Sequence, residues 1–513
     1  KLRLLSTFEH FPAGAIVDCF GRWLHGTVPQ TQGSNIESLP LFGASPLQAD
    51  LKPICSSLHT GSAAIDTLTP IGRGQSMLLM GERGTGKSSL ARDVVLAQAL
   101  AHDDKMHCVL ALSEGGADAA RAQLGWLRER VPADLLARTC VVASDGGCSV
   151  ENALVAAAAC AIGERVRNAG GHALIIFDEF SGHLAVWDEA ARLLEHDVGG
   201  MTSLHPAQHS PDQRTFYAAL LQRASQLNDS KGGGSMTMLA LVDQPAAPES
   251  GDARAHKADT FELADFAHHP VKQRQRVAAL LKRGLKMDGE ALQRIGISPP
   301  RAETEMAVQG RDAGSTSNVM HLDQLKSLAD GHLQFHRHLF EAGRRPALEP
   351  SESLGRVGVG SDASSRPVPS SGAMMTLAPS LRLELAQARD LPAGELDALG
   401  TMQRLRTQAL VRGLTCQREG EPRSLAEQVV VLLALIDGRL DNIAHASAAE
   451  AATELSRVIA RVHEIAPTEI RTVDTTQALS AESRRVLTDA LAEALPNCGG
   501  RRALFVTWEP EQQ

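Results

Sequence analysis

The residues of this chain best suited to chemistry are Gly81, Glu82, Arg83, Gly84, Thr85, Gly86, Lys87 and Ser88, spaced as G-x-x-x-x-G-K-[ST]. Glycines in such a run let successive backbone N–H groups turn inward and converge on an anion. A helix leaving the loop adds the positive end of its dipole. Lys87 then brings an ammonium to the outer phosphates of a nucleotide, and the Ser88 hydroxyl offers a ligand to magnesium. The nucleotide-binding set expected here is Gly81, Arg83, Gly84, Thr85, Gly86, Lys87, Ser88 and Ser89, with ATP or ADP and Mg2+ as cofactors. A second element is the apolar run 173–177 ending in Asp178. An acid at the end of a buried strand beside a phosphate loop can hold the magnesium shell, so Ser88 and Asp178 form the expected metal pair. Glu179 is read as a solvated strand end rather than a water-polarising base.

Other clusters promise less. His336, Arg337 and His338 lack a third ligand at metal spacing and read as half-exposed surface, as do His268 and His269. The basic run Lys272, Arg274, Arg276, Lys282, Arg283 and Lys286 has no interleaved aromatic residues, so it reads as a solvated helix face rather than an RNA contact.

Positioning the loop requires a strand before it and a helix after it. Short apolar runs at 77–80, 109–112, 140–143, 173–177 and 236–242 predict buried strands. Between them, 89–101, 118–130, 151–167, 185–195 and 216–227 predict helices. Alternation at this spacing implies a parallel sheet covered on both faces. Residues 245–325 read as an insertion carrying a basic helix at 271–286 and a polar stretch at 309–318. A Ser-rich loop at 358–372 follows, and from about 380 to 495 an Ala/Leu-rich helical bundle, clearest at 424–435 and 448–462.

The 513 residues allow two to four domains. Aromatic residues make up only 3%, which favours helix over all-β architecture, and a net charge of -9 argues against general nucleic-acid affinity. The eight cysteines form no C-x-x-C pair and suit reduced, buried thiols. No apolar run approaches 18 residues, so membrane association is expected only through a complex.

The segment from Thr60-Gly61 through Asp66 to Pro70-Ile71-Gly72-Arg73-Gly74-Gln75, followed by the loop, resembles the α subunit of F-type ATP synthases. Gly232-Gly233-Gly234-Ser235-Met236-Thr237, Ser327-Leu328-Ala329-Asp330-Gly331, Arg345-Pro346-Ala347, Gly355-Arg356-Val357-Gly358, Leu383-Glu384-Leu385-Ala386-Gln387 and Glu427-Gln428-Val429 are similar to further family segments in the same order. The resemblance implies an α/β fold: a RecA-like P-loop domain at 56–375, a C-terminal helical domain at 376–513, and a remnant of an N-terminal β-barrel at 1–55. It places Arg345 and Pro346 beside the adenine, Gln417 near the base, and Arg356 where the α subunit lends an arginine to a neighbouring catalytic site. The implied partners are β-type catalytic subunits and the central and peripheral stalks. The implied location, with a start at Lys1, is the mitochondrial inner membrane on its matrix side, or a plastid thylakoid on its stromal side.

Departures from the family pattern are also visible. Gly84 and Ser88 replace glutamine and threonine, the barrel is short, and 195–209 takes the place of a basic Pro-Gly-rich stretch. The position of the catalytic glutamate falls on Glu114 or Gly115, and a site without turnover is expected. The rivals are a degenerate paralogue acting as scaffold and a Rho-like RNA translocase.

Overall fold

The structure is a computed structural model that describes residues 5–7, 11–26, 38–43, 45–54, 56–101, 106–113, 115–144, 149–178, 180, 206–244, 322–356, 372–389 and 398–496. The protein divides into two compact units, Lys1–Asp243 with Leu325–Gln513, and Gln244–Gln324. Nearly all of the second unit lies outside the described residues, including the basic helix expected at 271–286.

The strands of the first unit are β1 (Leu5–Thr7), β2 (Ile16–Val17), β3 (Trp23–His25), β4 (Ser38–Pro40), β5 (Ser76–Gly81), β6 (Met106–Leu112), β7 (Thr139–Ala143), β8 (His172–Asp178), β9 (Ser225–Gln226), β10 (Ser235–Asp243), β11 (Gly331–Phe335) and β12 (Leu354–Gly355). Ten of them form one sheet in the order β12-β11-β5-β10-β8-β6-β7-β2-β3, with β9 on β10. From β11 to β2 every neighbouring pair is parallel. The five runs expected as buried strands are β5, β6, β7, β8 and β10, and their residues are almost wholly buried. Continuous burial is what a parallel sheet covered by helices demands of its side chains. The covering helices described are α1 (Ala63–Leu68), α2 (Lys87–Ala97), α3 (Gly116–Arg130), α4 (Ala133–Leu136), α5 (Ser149–Asn168), α6 (Pro206–Leu221) and α7 (Arg337–Glu341).

Two details differ from the sequence expectation. The helix predicted over 216–227 ends at Leu221, and Ser225–Gln226 pairs antiparallel with Ser235–Met236. Helical periodicity loses there to Arg223, which turns inward, donates to both oxygens of Glu164 at 2.7 Å and bonds Leu41 O at 2.8 Å. The described part of the expected barrel remnant joins the main sheet edge, β2 running parallel to β7 and β3 closing the edge, while β1 and β4 make a separate ribbon. The helix expected at 185–195 lies outside the described residues, as does the loop 358–371.

The C-terminal helices are α8 (Gly372–Arg389), α9 (Ala398–Thr415), α10 (Leu425–Ile436), α11 (Ala448–Ile465), α12 (Pro467–Thr476) and α13 (Ala481–Ala494). The most apolar of them, α10, is the centre: Ser424 and Glu427 close a capping box at its start, and its residues from Val429 to Leu435 are buried. The box satisfies two N–H groups that the first turn otherwise leaves without partners. α10 also ties the bundle to the sheet domain, because Gln428 Nε2 donates to Asp66 Oδ2 at 2.8 Å while Thr60 Oγ1 donates to Asp66 Oδ1 at 2.7 Å. Burial pushes the Asp66 carboxyl above its ordinary range, against the opposing pull of His59 and these hydrogen bonds. No helix among the described residues is long and apolar enough to cross a membrane.

Candidate functional site: a phosphate loop and a cleft for a base

The loop leaves β5 at Gly81 and enters α2 at Lys87, so it stands at the carboxyl ends of the parallel strands, where open α/β sheets bind ligands. Gly84 and Gly86 have φ of 77° and 87°, a left-handed conformation that costs an ordinary residue about 1–2 kcal/mol. At Gly86 a Cβ would also meet the Phe340 ring at 3.2 Å, so α7 closes the loop from one side. Thr85 Oγ1 bonds Glu82 O at 2.8 Å and pins the turn.

Lys87 is 5% exposed, and its ammonium donates to Gly81 O and Glu82 O at 2.7 Å and lies 2.9 Å from Asp243 Oδ1. Arg83 Nε donates to the other oxygen of Asp243 at 2.6 Å. Asp243 opposes Gly81 in the β5–β10 register, which places its carboxylate at the loop. The sequence expectation passed over it, although the same signal as for Asp178 was present: an acid closing an apolar strand.

On the other side, Ser88 Oγ donates to Asp178 Oδ1 at 3.3 Å. Burial raises the Asp178 carboxyl above its usual range; the Ser88 bond and Arg92 pull it back, while Asp243 adds to the rise. A hydroxyl and a carboxylate at this separation, beside an ammonium, are a donor set that suits a hard, oxygen-seeking cation such as magnesium. The site residues therefore fit the expected group, Ser88 and Asp178 for the metal and the loop amides for phosphate. Glu114 and Glu179 lie outside the described residues.

A cleft of about 440 Å³ runs from the loop toward the helical bundle, with Thr85, Gly86 and Ser89 at one end and Arg345, Pro346 and Gln417 at the other. The Arg345–Pro346 peptide bond is cis. Arg345 stacks its guanidinium 3.5 Å from the Phe340 ring centroid and donates to Phe340 O and Arg344 O at 2.7 and 2.8 Å. Gln417 bonds Arg345 O through its backbone N–H at 3.1 Å. The three residues that family resemblance placed at the base thus share one cleft with the phosphate loop. Asp93 of α2 and Glu419 also line it, and neither was singled out from sequence.

Arg356 stands apart. It follows Gly355, which pairs with Gly331 at the amino end of β11, whereas the loop leaves the carboxyl end of β5. From Met77, opposite Gly331, to Gly81 the strand rises roughly 13 Å at about 3.3 Å per residue. Arg356 is exposed, and its head donates to Ser327 O and Lys326 O at 2.8 and 2.9 Å. The structure brings together every other predicted site residue and leaves this one at the far end of the sheet.

In the His336 cluster, His336 Nε2 lies within hydrogen-bond distance of Glu352 Oε2 at 2.9 Å, and no metal-binding group of three such side chains occurs among the described residues. Cys19, Cys108, Cys140, Cys160 and Cys416 are buried.

Comparison with known proteins agrees with this geometry. Residues 61–259 match the nucleotide-binding domain of the ATP synthase alpha/beta family, and residues 371–494 match the C-terminal domain of the same family. Among similar proteins, the ATP synthase subunit alpha of Aquifex aeolicus is 29% identical over 462 residues, covering 86% of this protein and 74% of that one. Those of Dehalococcoides mccartyi and Lawsonia intracellularis are 29% identical over 437 residues and 27% over 485, covering 84% and 94% of this protein and 69% and 77% of theirs. These relatives are bacterial, which overturns the expected location at a mitochondrial inner membrane or a plastid thylakoid. A start at Lys1 carried no information about an organelle, because it is equally compatible with a bacterial protein.

Proposed function

Because this chain belongs to the ATP synthase α/β family and is α-subunit-like within it, we propose that it is a ring subunit of a rotary, proton-translocating ATP synthase on a bacterial cell membrane. In this reading it binds Mg-ATP or Mg-ADP without turning it over and lends Arg356 to the catalytic site of a neighbouring β-type subunit. The observation that carries the reading is the opposition of the two ends of the sheet: loop, Lys87 and Asp178 at the carboxyl end, Arg356 at the amino end. An arginine so placed is out of reach of its own subunit's phosphates and exposed toward whatever packs on that edge. A planar, permanently charged guanidinium is suited to stabilising charge that spreads over a transferring phosphoryl group.

Lack of turnover has its own support. The two strand-end carboxylates at the phosphate end are engaged, Asp178 with Ser88 and Asp243 with Lys87 and Arg83. A general base needs a carboxylate within reach of the attacking water, and a carboxylate held by two cations is a poor one. Magnesium held by Ser88 and Asp178 would neutralise phosphate charge; the protein's own part is to orient the nucleotide and keep it bound. Central- and peripheral-stalk subunits complete the partner set, and the membrane is met through them.

The test is purification of the native complex. The protein should emerge in a ring with β-type subunits, carrying nucleotide and magnesium. Isolation as a free subunit without nucleotide would favour a scaffold role, and ATP hydrolysis by this subunit alone, abolished by Glu114→Gln, would end the non-catalytic assignment.

A further inference from the structure

The cleft takes one wall from the segment that joins α9 to α10, where Gln417, Arg418 and Glu419 line it together with Gly61. Gly61 fastens that wall to the sheet domain: its carbonyl accepts from Gln417 Nε2 at 2.8 Å and from the Arg423 N–H at 2.9 Å. The packing there is tight, since a Cβ on Gly61 would meet Pro422 at 2.5 Å and Ala97 at 2.8 Å.

The next link is an imidazole. His59 Nε2 lies 2.9 Å from Arg423 O, and a carbonyl only accepts, so Nε2 carries a hydrogen. The other ring nitrogen, Nδ1, lies 3.5 Å from Asp66 Oδ2. A neutral ring with its hydrogen on Nε2 presents a lone pair at Nδ1. Facing a carboxylate oxygen, that lone pair repels; with one proton between the two atoms, the contact attracts. Neither partner is free to turn away. Thr60 Oγ1 and Gln428 Nε2 donate to the two Asp66 oxygens at 2.7 and 2.8 Å, and Gln98 Nε2 donates to His59 O at 2.8 Å. Burial raises the Asp66 carboxyl, which favours the state with a proton on the pair.

The other charged groups around the ring have their own partners. Arg73 and Asp474 line the same cavity as His59 and Asp66. Arg73 Nε donates to Ser57 O at 3.2 Å, and Asp474 Oδ1 accepts from the Ala426 N–H at 2.7 Å. Arg423 meets the ring through its carbonyl. Glu427 of α10 belongs to the capping box and lies 3.1 Å from His463 Nε2. From α2 and α8 the neighbours are Gln98 and Met374, both uncharged.

We propose that His59 is a positioning residue that makes nucleotide binding depend on pH: the proton it shares with Asp66 holds Arg423, and through Gly61 the Gln417 wall, in place. The inference rests on the nucleotide-binding reading above and adds the regulation of that site. An imidazole free in water gives up its proton at about pH 6.5, and a neighbouring carboxylate holds the proton to higher pH. The wall is therefore secured at neutral pH and loosens in alkali, and nucleotide affinity falls with it.

The experiment is titration of a ribose-labelled fluorescent ATP, with magnesium, into the purified complex at about pH 6.5 and about pH 8.5, for the native protein and for His59→Gln. Glutamine still offers an N–H to Arg423 O and does not titrate, so pH effects that arise elsewhere, at Asp93 or on the nucleotide, are common to both proteins. Over this interval the native Kd should rise about fivefold more than that of His59→Gln, the low end of couplings between sites. Equal rises in the two proteins would overturn the proposal. Hydrogen exchange on the native protein is a second readout and needs no variant. The Arg423 amide, corrected for its intrinsic rate, should lose about fivefold of its protection over the same interval. Constant protection would sink the proposal whatever the variant does. A native complex that bound no nucleotide at either pH would end the nucleotide-binding reading, and exchange at Arg423 would still decide whether the proton secures the wall.

Discussion

Replacing Lys87 with methionine keeps an unbranched stem of similar length and removes only the ammonium. Lys87 is 5% exposed and already donates to two loop carbonyls at 2.7 Å while lying 2.9 Å from Asp243. In the nucleotide complex it must exchange at least one of these partners for a phosphate oxygen. A hydrogen bond to a charged group contributes about 1.5–3 kcal/mol. Part of that is offset by the carbonyl or carboxylate partner given up, so the lower part of the range applies, about 2 kcal/mol. At 1.4 kcal/mol per decade this is roughly a 30-fold weaker Kd for Mg-ATP. Titration of a ribose-labelled fluorescent ATP into the native and Lys87→Met complexes measures it, with circular dichroism to confirm that the sheet domain remains folded. A folded Lys87→Met protein whose Kd stays within threefold of the native value would refute the assignment of the loop to phosphate binding.

Three further outcomes are expected. Arg356→Ala should lower ATP hydrolysis by the assembled ring on the order of 10³-fold, as loss of a trans-acting arginine does, while nucleotide retained in this subunit's own site is unchanged; normal ring turnover would remove the role. Glu164→Gln leaves the Arg223 guanidinium, 2% exposed, without its carboxylate and should cost about 3–5 kcal/mol in urea denaturation, whereas a loss under 1 kcal/mol would show the pair is relieved by water. Asp93 has a folded pKa of about 7 against 3.8 for the ordinary group, so the folded protein binds more protons than the unfolded one between these values. Its contribution to stability is therefore present below about pH 4 and is lost as pH rises to about 7. Asp93→Asn should accordingly be more stable than native by about 2 kcal/mol at pH 8, allowing for partial exposure, and the difference should vanish near pH 4 in thermal melts; a pH-independent difference would exclude the buried, uncompensated carboxylate.

Much of the phosphate end was legible along the sequence because its parts are local. Gly81 to Ser88 lie within one turn and carry their own chemistry, and Asp178 announces itself as a charge at the end of an apolar run. Strand existence followed for the same reason: in a parallel sheet covered on both faces, nearly every side chain of β5, β8 and β10 is buried, and uninterrupted apolar sequence has few other solutions. Family resemblance, not spacing, placed Arg345, Pro346, Gln417 and Arg356, since nothing local distinguishes them.

The order of the strands was left to the tertiary structure. It sets β10 between β5 and β8, and so brings Asp243 to Lys87 from 156 residues away in the sequence. It also decides that Arg356 sits at the amino end of β11 and not beside the loop. The same packing stopped the 216–227 helix early, where burying Arg223 on Glu164 outweighed a few residues of helical periodicity. It let α10 reach back through Gln428 to Asp66, and it closed a cleft whose walls come from opposite ends of the sequence. Sequence by itself determined which groups this protein has for chemistry, because residue type and short-range spacing are written in it directly. Which of those groups face one another was decided by strand order and burial, because hydrophobic packing and buried charge act through space and take no account of separation along the sequence.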